Sequence, residues 1–437
     1  MMRTLLGVFV IAALSGATAL ASPIHVSAPS VTSYLGAKIV MQVDASNPLT
    51  GMQLFIQAGL DRETPNQSGL AALVAESIVR TPVGGLPLQD ELLAKGGSIT
   101  YTVDGHWIRF YLEGLSPNFA TGIMPLFEQA LAKPDFSATT LASSRAELDR
   151  KIAENEKIPL DVGIQMLNTA FYTDSDAGLP QYGLPATLAG FTSSDAQRFY
   201  STYYRRGGAV VSAVGGVNAA TQSQFSNVLG ALAEGTSKPV PVRLSRLSGS
   251  EHHLVTHRDI AVPWLVAQFR APSIGSRDFG AMLVLTSFLE RTAAEVAENP
   301  SVTTKSFNDR AVGTLYNFDD RPASVVLFIN GGFGDPSRPF STALSVIQIF
   351  AHSKLSGDIG GMKSIAAGNY IDGVTTLEDR AWMAGVFASQ DLPPNYIERG
   401  LNAITSVTGA DLQRVARTYL DNPNVAIVLP RDTPSPT

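Results

Sequence analysis

The chain has 437 residues, of which 45% are hydrophobic and 16% are charged, and its formal net charge is −6. This composition is too apolar for a disordered chain, and the sequence contains no cluster of Lys and Arg of the kind that marks a nucleic-acid binder. Cysteine is absent, which excludes disulfides, thiolate nucleophiles and cysteine-based metal sites. Any histidine chemistry must come from six residues: His25, His106, His252, His253, His257 and His352.

The N-terminus has the features of an export signal. Arg3 precedes a short apolar run at 5–14, and an A-x-A sequence ends at Ala21. This order is typical of a secretory signal peptide at 1–21 that is cleaved after Ala21. No later run reaches the ~18 apolar residues of a membrane span. We therefore expect an exported mature chain without a membrane span, periplasmic or secreted; a retained N-terminal anchor is the alternative.

Strand and helix patterns alternate through the first half of the chain. The predicted elements are a strand at 52–58, a helix at 69–79 capped by Ser68, a short helix at 88–95, and strands at 98–103 and 107–112 joined by an Asp104-Gly105 turn. The second half repeats this mixture, with strands at 265–269 and 325–330. The fold class indicated is α+β, with antiparallel sheets packed by helices.

One unit of the sequence occurs twice. Segments 192–204 (TSSDAQRFYSTYY) and 408–420 (TGADLQRVARTYL) are identical at six positions, and a β-branched strand follows each, at 210–214 and 425–429. Both begin with Thr followed three residues later by Asp, which is typical of a capped helix start. Two unrelated helices are the alternative, but the shared following strand favours duplication.

A Pro/Gly/Ser-bearing connector separates the two copies. It reads Gly235-Thr-Ser-Lys-Pro-Val-Pro241 and continues without clear periodicity to Ser250. We place the first domain at 24–235, a linker at 236–249 and the second domain at 250–432.

The order of these elements resembles that of the pitrilysin/insulinase-type (M16) metallopeptidases, over nearly all of the mature chain. The matching positions are Gly59, Gly69-Leu70-Ala71, Gly96-Gly97, 100–109, Phe171-Tyr172, 180–183, Thr192, Asp195 and 203–217. Each match is weak, but their order and spacing together are fairly specific. The resemblance implies two homologous domains of the M16/LuxS-like metallohydrolase fold, each an antiparallel sheet packed with helices.

The zinc motif of that family is erased here. The motif places two His four residues apart on a helix with a Glu between them. The five corresponding positions read Ala72-Leu73-Val74-Ala75-Glu76, so both His and the catalytic Glu are absent. The family's third ligand, a Glu about 75 residues further on, falls near Lys151. A catalytic zinc site needs three protein ligands, so we expect no metal in this chain, and Glu76 to be solvated or ion-paired.

A second element of the family's active site is present. M16 enzymes carry R-x-x-G-x-x-Y in their C-terminal half, and here it reads from Arg310 through Gly313 to Tyr316. In the family these two side chains face the chamber, where preorganised donors stabilise the oxyanion of peptide hydrolysis. The resemblance thus implies catalytic roles for Arg310 and Tyr316; an ordinary helix-end Arg and a core Tyr are the alternative.

Some members of the family are two-chain enzymes, in which a zinc-free chain closes the chamber beside a zinc-bearing chain. This sequence is similar to the zinc-free chain. We expect it to be inactive alone and to form a heterodimer with an M16 subunit that carries H-x-x-E-H and holds the zinc. The substrate expected is an unfolded peptide whose backbone adds to a sheet edge.

Two other hypotheses remain open. The first alternative is a catalytically silent peptide-binding or scaffold subunit of the same fold. The second is a hydrolase that uses the region of His252, His253 and His257. The second has little support, because no base or third ligand accompanies these histidines, and a polar surface strand explains them better.

Overall fold

A computed structural model describes residues 27–172, 178–237, 253–296, 312–319, 322–331, 336–352 and 359–434. The predicted signal peptide and most of the predicted linker lie outside these ranges. None of the described helices is long and apolar enough to cross a membrane.

The first half contains ten strands and nine α-helices among its described residues. The strands are β1 Ser30–Tyr34, β2 Ala37–Val43, β3 Leu49–Ile56, β4 Pro82–Val83, β5 Leu86–Pro87, β6 Gly97–Val103, β7 Ile108–Leu115, β8 Arg205–Gly207, β9 Val210–Gly215 and β10 Ala233–Thr236. The helices are α1 Leu70–Val79, α2 Leu88–Ala94, α3 Ser116–Asn118, α4 Met124–Ala132, α5 Ala138–Asn155, α6 Pro159–Phe171, α7 Pro185–Leu188, α8 Ser193–Tyr203 and α9 Ala219–Gly230.

The second half contains five strands and six helices among its described residues. The strands are β11 His253–Arg258, β12 Trp264–Arg270, β13 Val312–Asn317, β14 Ser324–Asn330 and β15 Asn424–Pro430. The helices are α10 Phe279–Val296, α11 Ser337–His352, α12 Gly360–Asp372, α13 Leu377–Ser389, α14 Tyr396–Thr405 and α15 Gly409–Tyr419.

The two main sheets have the same topology, apart from the additional edge strand β1 of the first. The first runs β1-β2-β9-β3-β7-β6 and the second β11-β15-β12-β14-β13. In the first sheet, β9 pairs in parallel with β2 and antiparallel with β3. In the second sheet, β15 likewise pairs in parallel with β11 and antiparallel with β12. All other neighbours are antiparallel. The predicted α+β class and the two homologous halves are confirmed.

The repeated segments form equivalent helices. Thr192 caps α8 and Thr408 caps α15, and each hydroxyl accepts a hydrogen bond from the backbone N–H of the Asp three residues later. The carboxylate of that Asp accepts from the Thr backbone N–H in return. Both reciprocal caps follow from the Thr-x-x-Asp spacing.

Each half gives one helix to the other. Helix α6 packs on β12 and β15 of the second sheet, and α13 packs on β3 and β9 of the first. Both helices carry a glycine at the crossing. A Cβ at Gly163 of α6 would lie 2.6 Å from Val266 Cγ2, and one at Gly385 of α13 would overlap the Phe55 ring. The absence of side chains at these two points lets the helices lie close to the sheets.

Polar side chains cross the junction between the halves. Gln42 on β2 accepts hydrogen bonds from the Arg380 guanidinium at 3.2 and 3.1 Å and from the Tyr396 hydroxyl at 2.8 Å. Gln268 on β12 donates to Asn168 Oδ1 of α6 at 3.0 Å. The two halves are therefore joined by helix exchange and by buried hydrogen bonds.

Candidate functional site

The helix that would carry the zinc motif begins at an unusual cap. Gly69 precedes α1 with φ +96°, and the carboxylate of buried Glu63 accepts hydrogen bonds from Gly69 N at 3.1 Å and Ala71 N at 2.5 Å. The prediction that Ser68 caps this helix is wrong, because Glu63 supplies the acceptor from six residues upstream. A carboxylate at this position also faces the positive end of the helix dipole.

A second motif segment packs directly on this cap. Gly183 has φ +79°, and a Cβ there would lie 2.4 Å from the Gly69 Cα. Only glycine tolerates both the positive φ and this contact without strain. The structure thus brings together two segments, Gly69-Leu70-Ala71 and 180–183, that the sequence comparison matched separately.

The degenerate zinc positions lie in the core. Ala72 and Ala75 are fully buried, and Glu76 is 2% exposed. The Glu76 carboxylate accepts hydrogen bonds from Arg80 Nε at 2.6 Å, from the Tyr101 hydroxyl at 2.8 Å and from Lys151 Nζ at 2.9 Å. Glu76 is thus ion-paired, as the sequence suggested, and is buried rather than solvated.

Lys151 is the residue that the family spacing places at the third ligand position. Its ammonium also lies 3.2 Å from the Tyr101 hydroxyl and 4.4 Å from the centre of the Tyr101 ring. The family's spacing of about 75 residues therefore correctly predicted that this part of α5 lies beside α1. Where that spacing would bring a metal-binding carboxylate, this chain has a cation.

These residues do not fit a zinc ion. Ala72 and Ala75 have no donor atom, and Lys151 when protonated has no lone pair to offer. The one carboxylate, Glu76, is already bonded to three donors. A catalytic zinc needs three protein ligands, and among the described residues no group of three His, Cys, Asp or Glu could hold a metal ion.

The network that replaces the ligands extends along α5. Arg80 Nη2 lies 3.4 Å from Glu147 Oε2, and hydrogen bonds from Arg150 hold the pKa of Glu147 below its usual range. Burial, followed by the charge of Glu76, raises the pKa of Tyr101 well above its ordinary value. Tyr101 therefore remains a neutral donor to Glu76 under all physiological conditions.

A cavity of about 600 Å³ lies beside this network. Thr102 and Ile152 line it, and they follow Tyr101 and Lys151 in the chain. Tyr182 lines it too, with its ring centre 5.5 Å from Lys151 Nζ. A volume of this size is typical of ligand sites. The walls come from the β6–β7 turn, the end of α5, α6, the 179–184 loop and the end of β11.

Several carboxylates face this cavity. Asp61, Asp104, Asp161 and Asp319 all line it. Burial raises the pKa of Asp161, and it raises that of Asp319 against the opposing charge of Arg109. Sequence reasoning did not assign these residues to a site. The Asp104-Gly105 turn and the 180–183 segment were recognised, but nothing in the sequence shows that they face one another.

Strand β6 forms one edge of the first sheet. Its outer backbone groups pair with no other strand among the described residues, and its Ser98 and Thr100 side chains are exposed. Its C-terminal residues, Thr102 and Val103, line the cavity. An edge of this kind can accept an extended peptide through main-chain hydrogen bonds.

The structure places one of the two residues proposed as catalytic. Arg310 lies outside the described residues. Tyr316 lies on β13, its hydroxyl donates to the Pro272 carbonyl, and its ring contacts Phe279 and Phe318. Burial raises its pKa well above the ordinary value. Tyr316 does not line the described cavity, and its catalytic role stays a prediction.

The histidine region forms strand β11. His252 lies outside the described residues, and nothing is described of the His253 side chain. His257 is exposed, and its Nε2 lies 2.9 Å from the Thr433 carbonyl oxygen. No group of three His, Cys, Asp or Glu that includes His257 occurs within the described ranges.

The fold is similar to those of solved M16-type structures. A peptidase M16 inactive domain from Pseudomonas fluorescens has a TM-score of 0.75 at 15% identity, covering 93% of this chain and 100% of that chain. A protease from Helicobacter pylori has a TM-score of 0.75 at 14% identity, covering 92% and 99%. An M16-like peptidase from Alicyclobacillus acidocaldarius has a TM-score of 0.74 at 12% identity, covering 92% and 98%.

The comparisons of sequence gave no match. No family model matches it, and no curated protein matches it. The fold expected from the motif order is nevertheless confirmed over nearly the whole chain: this is an M16-type fold, and one of the proteins that share it is an inactive domain.

Proposed function

We propose that this chain is the zinc-free subunit of a two-chain M16 peptidase and that it binds the extended peptide substrate. The observation that carries the proposal is the contrast at the former metal centre. Glu76 and Lys151 stand at two of the three ligand positions, and Glu76 accepts hydrogen bonds from Lys151 and Tyr101. The adjoining cavity remains, and the outer edge of β6 pairs with no further strand among the described residues. The chain has thus lost the chemistry and kept the means to hold a peptide.

In this proposal, hydrolysis belongs to a partner M16 subunit that carries H-x-x-E-H and the zinc. The two subunits enclose an unfolded peptide between them. The inactive domain of Pseudomonas fluorescens supports this division, because it combines the same fold with loss of activity. The signal-like segment 1–21 supports export of the assembly to the periplasm or beyond.

Arg310 and Tyr316 are proposed to bind the substrate carbonyl across the interface. The intact spacing of R-x-x-G-x-x-Y supports this role. The Tyr316 hydroxyl is bonded to the Pro272 carbonyl, so it must exchange that acceptor for the substrate carbonyl when it acts.

The first experiment measures hydrolysis of a quenched unfolded peptide. The chain is assayed alone and then mixed with a candidate M16 subunit from the same organism that carries H-x-x-E-H. We expect the chain alone to hydrolyse no peptide and the mixture to hydrolyse it in a reaction that a chelator abolishes. Silence of the mixture, with the metal-bearing subunit shown to be folded and loaded, would favour the scaffold alternative. Activity of this chain alone would contradict the proposal.

Substitution in the active mixture then tests the pair. Arg310→Ala and Tyr316→Phe are each expected to lower kcat about 10²-fold, as loss of an oxyanion donor does. Arg291→Gln is the matched control, because Arg291 pairs with Glu295 on the exposed surface of α10. Unchanged turnover in both variants would remove Arg310 and Tyr316 from the mechanism and leave the peptide-binding role intact.

A further inference from the structure

The cavity beside β6 combines acidic and aromatic side chains. Trp107, Tyr172 and Tyr182 line it together with four aspartates. Aromatic faces and carboxylates in one site are the two features that attract an organic cation. This composition distinguishes the cavity from an ordinary apolar cleft.

Two of the aspartates already have partners. Asp61 Oδ2 lies 2.7 Å from His106 Nδ1, and Asp61 Oδ1 lies 3.3 Å from Arg62 Nε. Asp104 accepts from Arg109 Nε at 3.0 Å. Their partners hold these two carboxylates in place, so they are less suited than an unpaired carboxylate to bind a cation directly.

Asp161 differs from the paired aspartates. It lies in the first turn of α6 and lines the cavity, yet no described residue forms an ion pair or hydrogen bond with its carboxylate. The helix N-terminus favours a negative charge there, but burial opposes it and raises the pKa of Asp161. A half-buried carboxylate without a counter-ion has the most to gain from a bound cation.

One cation also lines the cavity, and it is already engaged. Arg258 Nη1 donates to Thr256 Oγ1 at 2.7 Å and to the His257 carbonyl at 2.9 Å. These bonds hold Arg258 to its own strand. Among the described lining residues, five are carboxylates, including Glu156 at the exposed rim, and one is an arginine. Arg62 and Arg109 offset Asp61 and Asp104, so the charge left for a bound cation is chiefly that of Asp161.

The cavity is reached from the end of the β6 edge. A peptide strand added to β6 places every second side chain on the same face, about 6.6–6.8 Å apart. Thr102 and Val103 are the last residues of β6 and also line the cavity. A peptide running past them has a side chain at the cavity mouth.

We propose that this cavity binds a lysine or arginine side chain of the extended peptide, with the Asp161 carboxylate as its counter-charge and the rings of Tyr172 and Tyr182 beside it. The inference rests on the proposed peptide-binding function and adds a substrate class to it. Selection acts at one position of the peptide, and the main-chain pairing on β6 tolerates the rest.

The test measures binding of labelled twelve-residue peptides to the full chain by fluorescence anisotropy. The peptides share a Ser/Thr/Val background and carry Lys, Arg, norleucine or Glu at one central position. We expect Lys and Arg to bind about tenfold more tightly than norleucine, the gain of about one charge-assisted hydrogen bond. The preference should weaken with added salt.

Three variants sharpen the result. Asp161→Asn should reduce the preference for Lys over norleucine to within about twofold, and Arg258→Gln should increase it by removing the opposing charge. Asp149→Asn is the matched control, because Asp149 is an exposed aspartate on α5 with the same change of charge, and it should leave the preference unchanged. Thermal unfolding by circular dichroism shows that each variant is folded.

The outcomes separate the two proposals. Equal binding of Lys, Arg and norleucine peptides, unaffected by Asp161→Asn, would overturn the basic-side-chain inference and leave peptide binding standing. Binding of no peptide at all would overturn the proposed function as well. If Asp161→Asn does not fold, the wild-type preference and its increase in Arg258→Gln decide the question.

Discussion

The two halves share the order of five sheet strands, and in each half a glutamate of a helix bonds to an edge strand. In the first half, Glu76 of α1 accepts from the Tyr101 hydroxyl of edge strand β6, and Lys151 covers the same carboxylate. In the second half, Glu290 of α10 accepts from both the backbone N–H and the hydroxyl of Thr314 on edge strand β13. Both halves thus fasten the edge strand to the first long helix through a glutamate.

In the first half, the cation on the glutamate comes from a further helix, α5, and the cavity lies next to this pair. Glu76 and Lys151 show how an ion pair can join α1 and α5 at positions where the resemblance to M16 peptidases places metal ligands.

The largest effect on stability is expected from breaking that ion pair. Lys151→Met removes one of the two cations from the Glu76 carboxylate, which is 3% exposed, and we expect a loss of about 2–3 kcal/mol in the free energy of unfolding. Arg80 and the partial exposure of Lys151 limit the loss. Urea unfolding measures it.

Two further variants define this effect. The double variant Glu76→Gln/Lys151→Met should be less destabilised than the sum of the single variants, because the uncompensated charge is gone. Arg291→Gln, in an exposed pair on α10, should leave the midpoint unchanged. Additive losses would mean that Glu76 and Lys151 are not coupled.

Helix exchange is tested at its two glycine contacts. Gly163→Ala and Gly385→Ala each place a methyl group against the opposite sheet, at Val266 and Phe55, and should cost about 1–3 kcal/mol by overpacking. Gly368→Ala is the matched control on α12, where a Cβ has nothing within 4 Å. It should stabilise by about 0.5–1 kcal/mol through helix propensity. Equal effects at all three sites would contradict the close packing of α6 and α13.

A smaller effect is expected at the cap of α1. Glu63→Ala removes the acceptor for Gly69 N and Ala71 N and should cost about 1–2 kcal/mol. Ser68→Ala, at the residue that sequence alone suggested as the cap, should cost less. The reverse order, measured by thermal unfolding of the two variants, would show that the cap is wrongly assigned.

The smallest effect concerns alkaline pH. Burial raises the pKa of Tyr101 above its unfolded value of about 10, so the unfolded chain releases this proton first. Stability from this group is complete below pH ~10 and falls as the pH rises beyond it. Tyr101→Phe should flatten the decline in urea midpoint between about pH 10 and 11.5. An unchanged slope would mean that Tyr101 ionises equally in both states.

Local chemistry accounts for what the sequence determined by itself. The reciprocal caps at Thr192 and Thr408 involve partners three residues apart, and strand alternation reflects one buried face. The repeated helix-strand unit and the order of the glycines therefore indicated the duplicated α+β fold. The incomplete zinc motif was also readable, because Ala72 at the first ligand position has no donor atom wherever it lies.

Contacts between distant segments were decided only by the tertiary structure. Glu63 replaced Ser68 as the cap because its longer side chain reaches α1 from a preceding turn. The exchange of α6 and α13 pairs segments more than a hundred residues apart, and the cavity joins β6, α6 and β11. No pattern along the chain shows which distant faces meet. Burying apolar surface is favourable against many partners, and only the close packing of the folded chain distinguishes one partner from the others.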